Sequence, residues 1–308
     1  MLRAFFVHLS ENRSLRNFAE RSVLGRRVSS RFVAGTEIAD AVRVTQAVNG
    51  AGMSVTIDNL GENVTNPDEA RESARLYHQI LEAIAANHLN ANISLKLTHM
   101  GLDVDEAMAR DLVSGLVSKS ASMNPPGFVR VDMEGSPYTQ RTLDFVHELH
   151  RMPGNGNSVG AVIQAYLKRS ESDIEKLLAE RIRIRLCKGA YKEPASIAYE
   201  SKADVDANYI KLMKILMKSG IYHGLATHDE SIIREAQAFA TRENLARDSF
   251  EFQMLYGIRR DLQRRLVRDG WRMRVYIPFG TEWYPYFMRR LGERPANVFF
   301  IARNLLRQ

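Results

Sequence analysis

Cysteine is almost absent from these 308 residues: Cys187 stands alone. That excludes a disulfide framework and any zinc or iron–sulfur centre built on several thiolates. Long apolar runs are missing too, and none approaches the roughly 18 residues a membrane-crossing helix requires. The opening MLRAFFVHLSENRSLRN has too short an apolar stretch and no small-residue cleavage site. Secretion is therefore not expected, and a reducing, intracellular setting is. No segment is of low complexity, and no charge block is long enough to form a disordered tail.

What is present is ordinary for a globular protein: 45% apolar and 26% charged residues. Such a length fits two domains of about 150 residues, or one α/β barrel of about 250. Lys and Arg number 43 against 36 Asp and Glu, a formal charge of +7. Arginine concentrates at Arg13–Arg31 and Arg259–Arg274. Both stretches read as solvated helical faces. Attraction to anionic lipid is a second reading. Neither stretch interleaves aromatics with its basic residues as a single-strand binder would, so nucleic acid is not an expected partner.

Eight short apolar or β-branched runs punctuate the chain: Met53–Asp58, Asn92–Leu97, Phe128–Met133, Val159–Ala165, Ile182–Cys187, Tyr222–Thr227, Phe250–Leu255 and Met273–Ile277. Several read as continuous apolar strands, as in a parallel sheet covered on its outer side. The segments between have helical periodicity. Asn66 can cap the first, with Pro67 in its first turn; Asp103, Ser136-Pro137, Ser170 and Asp229 can cap others, and Glu193-Pro194 opens a long helix to about Lys218. Eight strand–helix units predict an α/β fold, a (β/α)₈ TIM-like barrel over 51–308. A helical N-terminal segment (1–50) precedes it, and Pro295–Gln308 reads as an extra C-terminal helix. A doubly wound sheet is disfavoured because no glycine-rich phosphate turn follows the first strand.

A barrel assembles its site at the C-terminal ends of its strands. Polar residues predicted there are Asp58, Lys96, Asp132, Gln164, Arg185, Lys188, Thr227, His228, Gln253 and Tyr276. So many would be costly to bury for stability alone, although one or two can plug the barrel as ion pairs, Lys96 with Asp132 for example. Lys96 or Lys188 could be a Schiff-base nucleophile or a fixed cation for an anionic ligand. His228-Asp229-Glu230 has no second histidine at ligand spacing, so no metal is expected. Cys187 reads as packed core. After the last strand, Tyr286, Arg289, Arg290 and Glu293 share about one third of a helix circumference. That face is either a surface ion pair or an arginine clamp for a carboxylate or phosphate, and its place near the barrel mouth favours the clamp.

Together these segments resemble the proline dehydrogenase family, of the short monofunctional bacterial type. The resemblance is carried, in order, by Asp58-Asn59-Leu60-Gly61-Glu62, Ser94-Leu95-Lys96-Leu97-Thr98, Val131-Asp132-Met133-Glu134, Gln164-Ala165-Tyr166-Leu167 and Arg185-Leu186-Cys187-Lys188-Gly189-Ala190-Tyr191. It continues through Ala226-Thr227-His228-Asp229, Phe252-Gln253-Met254-Leu255-Tyr256-Gly257, Tyr276-Ile277-Pro278-Phe279-Gly280 and the Tyr286, Arg289-Arg290, Glu293 helix.

The resemblance implies a distorted barrel holding FAD noncovalently. It implies oxidation of L-proline to Δ1-pyrroline-5-carboxylate, with electrons passed to a membrane quinone. A separate pyrroline-5-carboxylate dehydrogenase would act next, toward glutamate. A cytoplasmic protein, peripheral on the inner face of the plasma membrane, is the expected setting. By the same resemblance Arg289 and Arg290 grip the substrate carboxylate with Lys96 nearby, Tyr276 and Tyr286 pack on the ring, and Glu62 closes over it by pairing with Arg289. Asp132, Arg185 and Tyr276 make up the catalytic set, with Arg185 beside flavin N5. Met133, Gln164, Lys188, Gly189, Ala190, Thr227, His228 and Glu293 hold the flavin. Two readings of other classes are an aldolase-like barrel acting through Lys96 or Lys188, and a non-catalytic basic scaffold for anionic lipid or nucleic acid.

Overall fold

The computed structural model describes residues 29–293, with side chains as far as Met288. Helix α1 (Ile38–Gly50) leads into β1 (Ser54–Asn59), α2 (Pro67–Ala86), β2 (Ala91–Leu95), α3 (Glu106–Ala121), β3 (Val129–Val131), α4 (Ser136–Arg151) and β4 (Val159–Gln164). Then follow α5 (Ser170–Ala179), β5 (Arg183–Cys187), α6 (Lys202–Lys218), β6 (His223–Ala226), α7 (Glu230–Arg242), β7 (Phe250–Leu255), α8 (Arg260–Arg268), β8 (Met273–Phe279) and α9 (Trp283–Glu293). The eight strands pair in parallel in chain order, and β8 closes on β1. The predicted barrel is the observed one, each strand within about two residues of its expected place.

The predicted strand character needs correction. The strands alternate rather than running apolar throughout. Val55, Ile57, Ile93, Leu95, Val129, Val131, Ile184, Leu186, Phe252 and Val275 are buried against the helices. The intervening positions are Thr56, Asp58, Asn92, Ser94, Arg130, Arg185, Glu251, Gln253, Arg274 and Tyr276; most hydrogen-bond to another polar side chain inside the barrel, while Arg130 donates to the Ala161 and Arg183 carbonyls. A period of two puts the two sets on opposite faces of the sheet. The apolar layer holds the barrel to its helices, and the inner layer is polar. Glycine at inward positions makes the room: a Cβ on Gly224 would lie 2.2 Å from the Gln253 amide nitrogen.

Caps follow local chemistry. Asn66 accepts from the Glu69 amide at 3.0 Å with Pro67 in the first turn, and Asp229 caps α7, both as predicted. Asp105 rather than Asp103 caps α3. Helices α4 and α5 begin after Gly135 and Arg169, so Ser136 and Ser170 are first residues rather than caps. The long helix predicted from Glu193 starts only at Lys202, capped by Ser201. Upstream, Glu193 is held by the Ser136 amide (2.7 Å) and hydroxyl, and Ala198 forms a bridge with Leu167. Residues 193–200 are thereby tied as a loop across neighbouring barrel loops.

Helix α1 packs outside the seam between β8 and β1. The segment before it reaches the strand C-terminal ends: Ala34 N–H donates to Pro278 at 2.9 Å and Gly280 N–H to Gly35 at 3.0 Å. Helix α9 begins at the same end, where Trp283, Tyr284, Tyr286 and Phe287 pack with Phe32, Val33, Leu60 and Ile258. The predicted position of this helix at the mouth is therefore observed. The side chains of Arg289, Arg290 and Glu293 lie outside the described residues, as do Pro295–Gln308 and the first 28 residues.

Candidate active site

The mouth is built around Asp132, just past β3. Its Oδ1 accepts from Arg185 Nη1 (2.7 Å) and Ser94 Oγ (2.7 Å), and its Oδ2 accepts from the Tyr276 hydroxyl (2.8 Å). Three strands thus converge on one carboxylate. Arg185 is buried; its Nε donates to Gln253 Oε1 at 2.6 Å and its Nη2 to Thr56 Oγ1 at 3.4 Å. The guanidinium carbon lies 5.2 Å from the centre of the Tyr276 ring, a cation–π contact. Burial, with Asp132 and Asp58 nearby, pushes the Tyr276 phenol well above its usual range and keeps it a proton donor.

The expected pairing of Lys96 with Asp132 is not the one observed. Asp132 is taken by Arg185, and the carboxylate nearest Lys96 is Asp58, at 4.0 Å. Register explains this: Asp58 lies beside Ser94 in the β1–β2 ladder, and Lys96 follows two residues on along the same face. Burial raises the Asp58 carboxyl to about 6, against the opposing pull of Lys96 and with help from Asp132. Burial alone would lower the Lys96 ammonium, but Asp58 and Asp132 outweigh it and hold the ammonium above its usual range. A Schiff-base lysine needs the opposite shift, so the carboxylates around Lys96 favour the charged ammonium over a free amine. Glu62, in the first βα loop, adds its charge to the field at Lys96 and His99.

The β4–β6 side presents a second set. Gln164 Nε2 donates to the Glu134 carbonyl at 2.9 Å, next to Met133. Lys188, just beyond β5, is held by Asp206 (2.5 Å) and Asp229 (2.9 Å). Gly189 follows at φ +106°, where an added Cβ would lie 2.1 Å from the Tyr166 ring, so only glycine fits. Ala190 continues that loop. Thr227 Oγ1 accepts from the Asp229 amide at 3.1 Å. His228 Nε2 accepts from the Leu255 amide at 3.0 Å, which makes Nδ1 the protonated nitrogen. Asp229 is committed to its cap and to Lys188, and Glu230 to Arg259 and Arg265. Burial raises the Cys187 thiol to about 12, a poor nucleophile packed against the core.

Sequence reasoning singled out the convergent residues Asp58, Lys96, Asp132, Arg185, Gln253 and Tyr276. It missed Ser94 and Thr56, which fix Arg185, and the floor beneath: Glu251, Arg274 and Arg130. Their signal is the polar residue at every second strand position, as in Thr56/Asp58, Asn92/Ser94/Lys96 and Glu251/Gln253.

A parallel eight-stranded barrel with convergent charged side chains at the C-terminal ends of its strands is the architecture of a barrel enzyme. A sequence model described as proline dehydrogenase matches residues 41–303. Proline dehydrogenase 1 of Bacillus subtilis (strain 168) is 39% identical over the whole of both chains. Proline dehydrogenase of Deinococcus radiodurans is 40% identical over 91% of this chain and 90% of its own. The crystal structure of proline utilization A (PutA) from Bdellovibrio bacteriovorus, inactivated by N-propargylglycine, superposes with a TM-score of 0.80 at 26% identity. That match covers 87% of this chain and 32% of the larger protein, so the chain spans about a third of that solved relative. The chain belongs to the proline dehydrogenase family and is an oxidoreductase. Among the described residues no helix is long and apolar enough to cross a membrane.

Proposed function

We propose that the chain oxidises L-proline to Δ1-pyrroline-5-carboxylate with noncovalent FAD. The observation that carries this reading is the Asp132–Arg185–Tyr276 cluster, with Lys96 beside it, at the mouth of a family barrel. When bound, FAD would supply the oxidant, a hydride acceptor for the ring carbon next to the proline nitrogen, from which electrons would pass to a membrane quinone.

The donors fit such a dinucleotide. The Gln164 amide, Gly189-Ala190 backbone, Thr227 hydroxyl and His228 Nδ1–H stand on consecutive strand ends, donor chemistry suited to ring carbonyls and phosphates. Arg185 has one Nη2 hydrogen without a protein acceptor among the described residues, a cation for the flavin ring. Lys188 must share its ammonium with Asp206 and Asp229 if it also meets phosphate. Met133 and Glu293 complete this set by family resemblance.

The chain's own work is positioning and electrostatics. Lys96, Arg289 and Arg290 hold the substrate carboxylate, while Tyr276 and Tyr286 flank the ring. Glu62 closes the first βα loop over Arg289. The surrounding cations disfavour the protonated amine, so the nitrogen lone pair is available to expel hydride. The product passes to a separate pyrroline-5-carboxylate dehydrogenase and on toward glutamate. The protein works at the cytoplasmic membrane surface, where the quinone is. One experiment tests the reading: proline added without oxygen to purified yellow protein should bleach its flavin absorbance. A colourless protein, or a spectrum that proline leaves unchanged, would refute it. Borohydride trapping of a covalent substrate adduct on Lys96 or Lys188 would instead favour the aldolase-like chemistry.

A further inference from the structure

The interior of the barrel carries a continuous polar line from floor to mouth. At the floor, Arg274 Nε donates to Glu251 Oε1 at 2.6 Å, and Arg274 Nη1 is anchored on the Val55 carbonyl at 2.7 Å. Glu251 Oε2 accepts from the Tyr222 hydroxyl at 3.0 Å. The same Oε1 of Glu251 accepts from Gln253 Nε2 at 2.7 Å, and Gln253 Oε1 accepts from Arg185 Nε at 2.6 Å. Arg185 then reaches Asp132 and, through it, Tyr276. Glu251, Gln253 and Arg185 are all at most 5% exposed.

A primary amide has two ends and can be turned around. Here a carboxylate, which only accepts, faces the NH₂ end and a guanidinium, which only donates, faces the carbonyl end, so both neighbours select the same orientation. The Glu251 carboxyl lies below its usual range: burial would raise it, but the Arg274 charge and the bonds from Arg274, Gln253 and Tyr222 outweigh burial. It is therefore an ionised acceptor. Gly224 keeps the neighbouring strand clear of the Gln253 amide, which an added Cβ would meet at 2.2 Å.

We propose that Gln253 and Glu251 are positioning residues for Arg185: the floor carboxylate anchors the NH₂ end of the Gln253 amide, and the carbonyl end of that amide fixes the guanidinium under the mouth. This rests on the reading of Arg185 as the cation beside the flavin. The residues act through Arg185 and need not touch substrate or flavin.

The test has two readouts. The first is hydrogen exchange at the Arg185 Nε–H in ¹⁵N-labelled holoprotein, assigned by its loss in Arg185→Lys. The wild type is expected to exchange at least tenfold more slowly than exposed arginines. Glu251→Met, which takes away the acceptor at the amide's NH₂ end, should lower that protection severalfold, and Gln253→Met, which removes the acceptor of the Nε–H, should abolish it. The second readout is single-turnover flavin reduction by proline. Both variants should slow the reductive step about tenfold, change proline KM less than threefold and keep stoichiometric flavin, and Glu251→Asp should restore part of the rate. Unprotected Nε–H in the wild type overturns the proposal whether or not either variant folds. So does protection that survives both substitutions, or a rise in KM with the reductive rate unchanged. If proline fails to bleach the wild-type flavin, the functional reading falls, while the exchange data still decide the arginine's anchorage.

Discussion

Replacing Asp132 with alanine strands Arg185. The guanidinium side chain is 6% exposed and its carboxylate partner 15%, so solvent screening is slight. Removing one member of a buried ion pair costs about 3–5 kcal/mol, because a buried charge loses its counter-charge. Arg185 keeps Gln253, Thr56 and Ser94 as acceptors, which places the expected loss near the lower end, about 3 kcal/mol. At roughly 2–4 °C of Tm for each kcal/mol in a large domain, the melting temperature should drop by about 6–12 °C. Urea unfolding followed by tryptophan fluorescence would measure the loss, Trp271 and Trp283 both being buried. The double variant Asp132→Ala/Arg185→Met should recover more than half of it, since no buried charge remains unpaired. An Asp132→Ala loss under 1 kcal/mol, or a double variant less stable than either single one, would refute this account of the mouth.

Asp58 gives a pH signature. Burial pushes its carboxyl up to about 6 in the folded chain, against an ordinary value of about 3.9. Between those values the folded chain holds a proton that the unfolded chain has lost, so stability falls as pH rises through that window and stays lowered above it. A shift of about two pH units corresponds to about 3 kcal/mol, so wild-type stability relative to Asp58→Asn should fall by about that much between pH 3.5 and 7 in urea titrations; a constant difference would contradict the assignment. Gly189→Ala must place a methyl in the Tyr166 ring at a positive φ; we expect the flavin-to-protein ratio after gel filtration to drop severalfold, and unchanged loading would rule out a tight loop there. Arg289→Met and Arg290→Met should each raise proline KM steeply while flavin stays bound; flavin loss with unchanged KM would contradict the clamp. Tyr286 should crowd a ring 4-hydroxyl, so kcat/KM for hydroxyproline should fall well below that for proline, and equal values would refute the crowding.

Strand positions were legible because each apolar run is bounded by turn residues and followed by a helical period. Helix starts were legible at Asn66 and Asp229, whose side chains cap their own turns, but Asp105, an equally local cap, was passed over for Asp103 two residues earlier, and a boundary set at long range was illegible. Nothing local distinguishes Glu193-Pro194 from a helix start; the competing partner is Ser136, 57 residues away in the chain. The choice of salt-bridge partners was similarly beyond sequence. Lys96, Asp58, Asp132 and Arg185 were all visible, but whether Asp132 takes Lys96 or Arg185 depends on strand register and on which side chain crosses the axis. Ser94 and Thr56 were overlooked because hydroxyls in strands are common, and their bonds to Asp132, Asn92 and Arg185 depend on which side chains the barrel brings inward.

The inward face of this barrel is hard to justify by stability. Well-packed apolar residues in place of a buried ion pair are often neutral or stabilising, and Arg274, Glu251 and Arg130 occupy positions that aliphatic side chains could fill. The outward face, by contrast, is a predominantly apolar layer against the helices, and that layer is where the hydrophobic stabilisation resides. The division of labour explains how the strands satisfy both demands at once. One set of alternate residues ties sheet to helices, and the other set is released to carry charge. Because the inward residues bond chiefly to each other, a change at the floor reaches the mouth through fixed donors and acceptors rather than through repacking of the core. The guanidinium of Arg185 sits where that network ends, held on its Nε side by Gln253 and on its Nη side by Asp132, Ser94 and Thr56. On the proposed reading of Arg185, a cation restrained from four strands meets a developing negative charge without reorganising, and that would be the use of an interior that stability alone would not select.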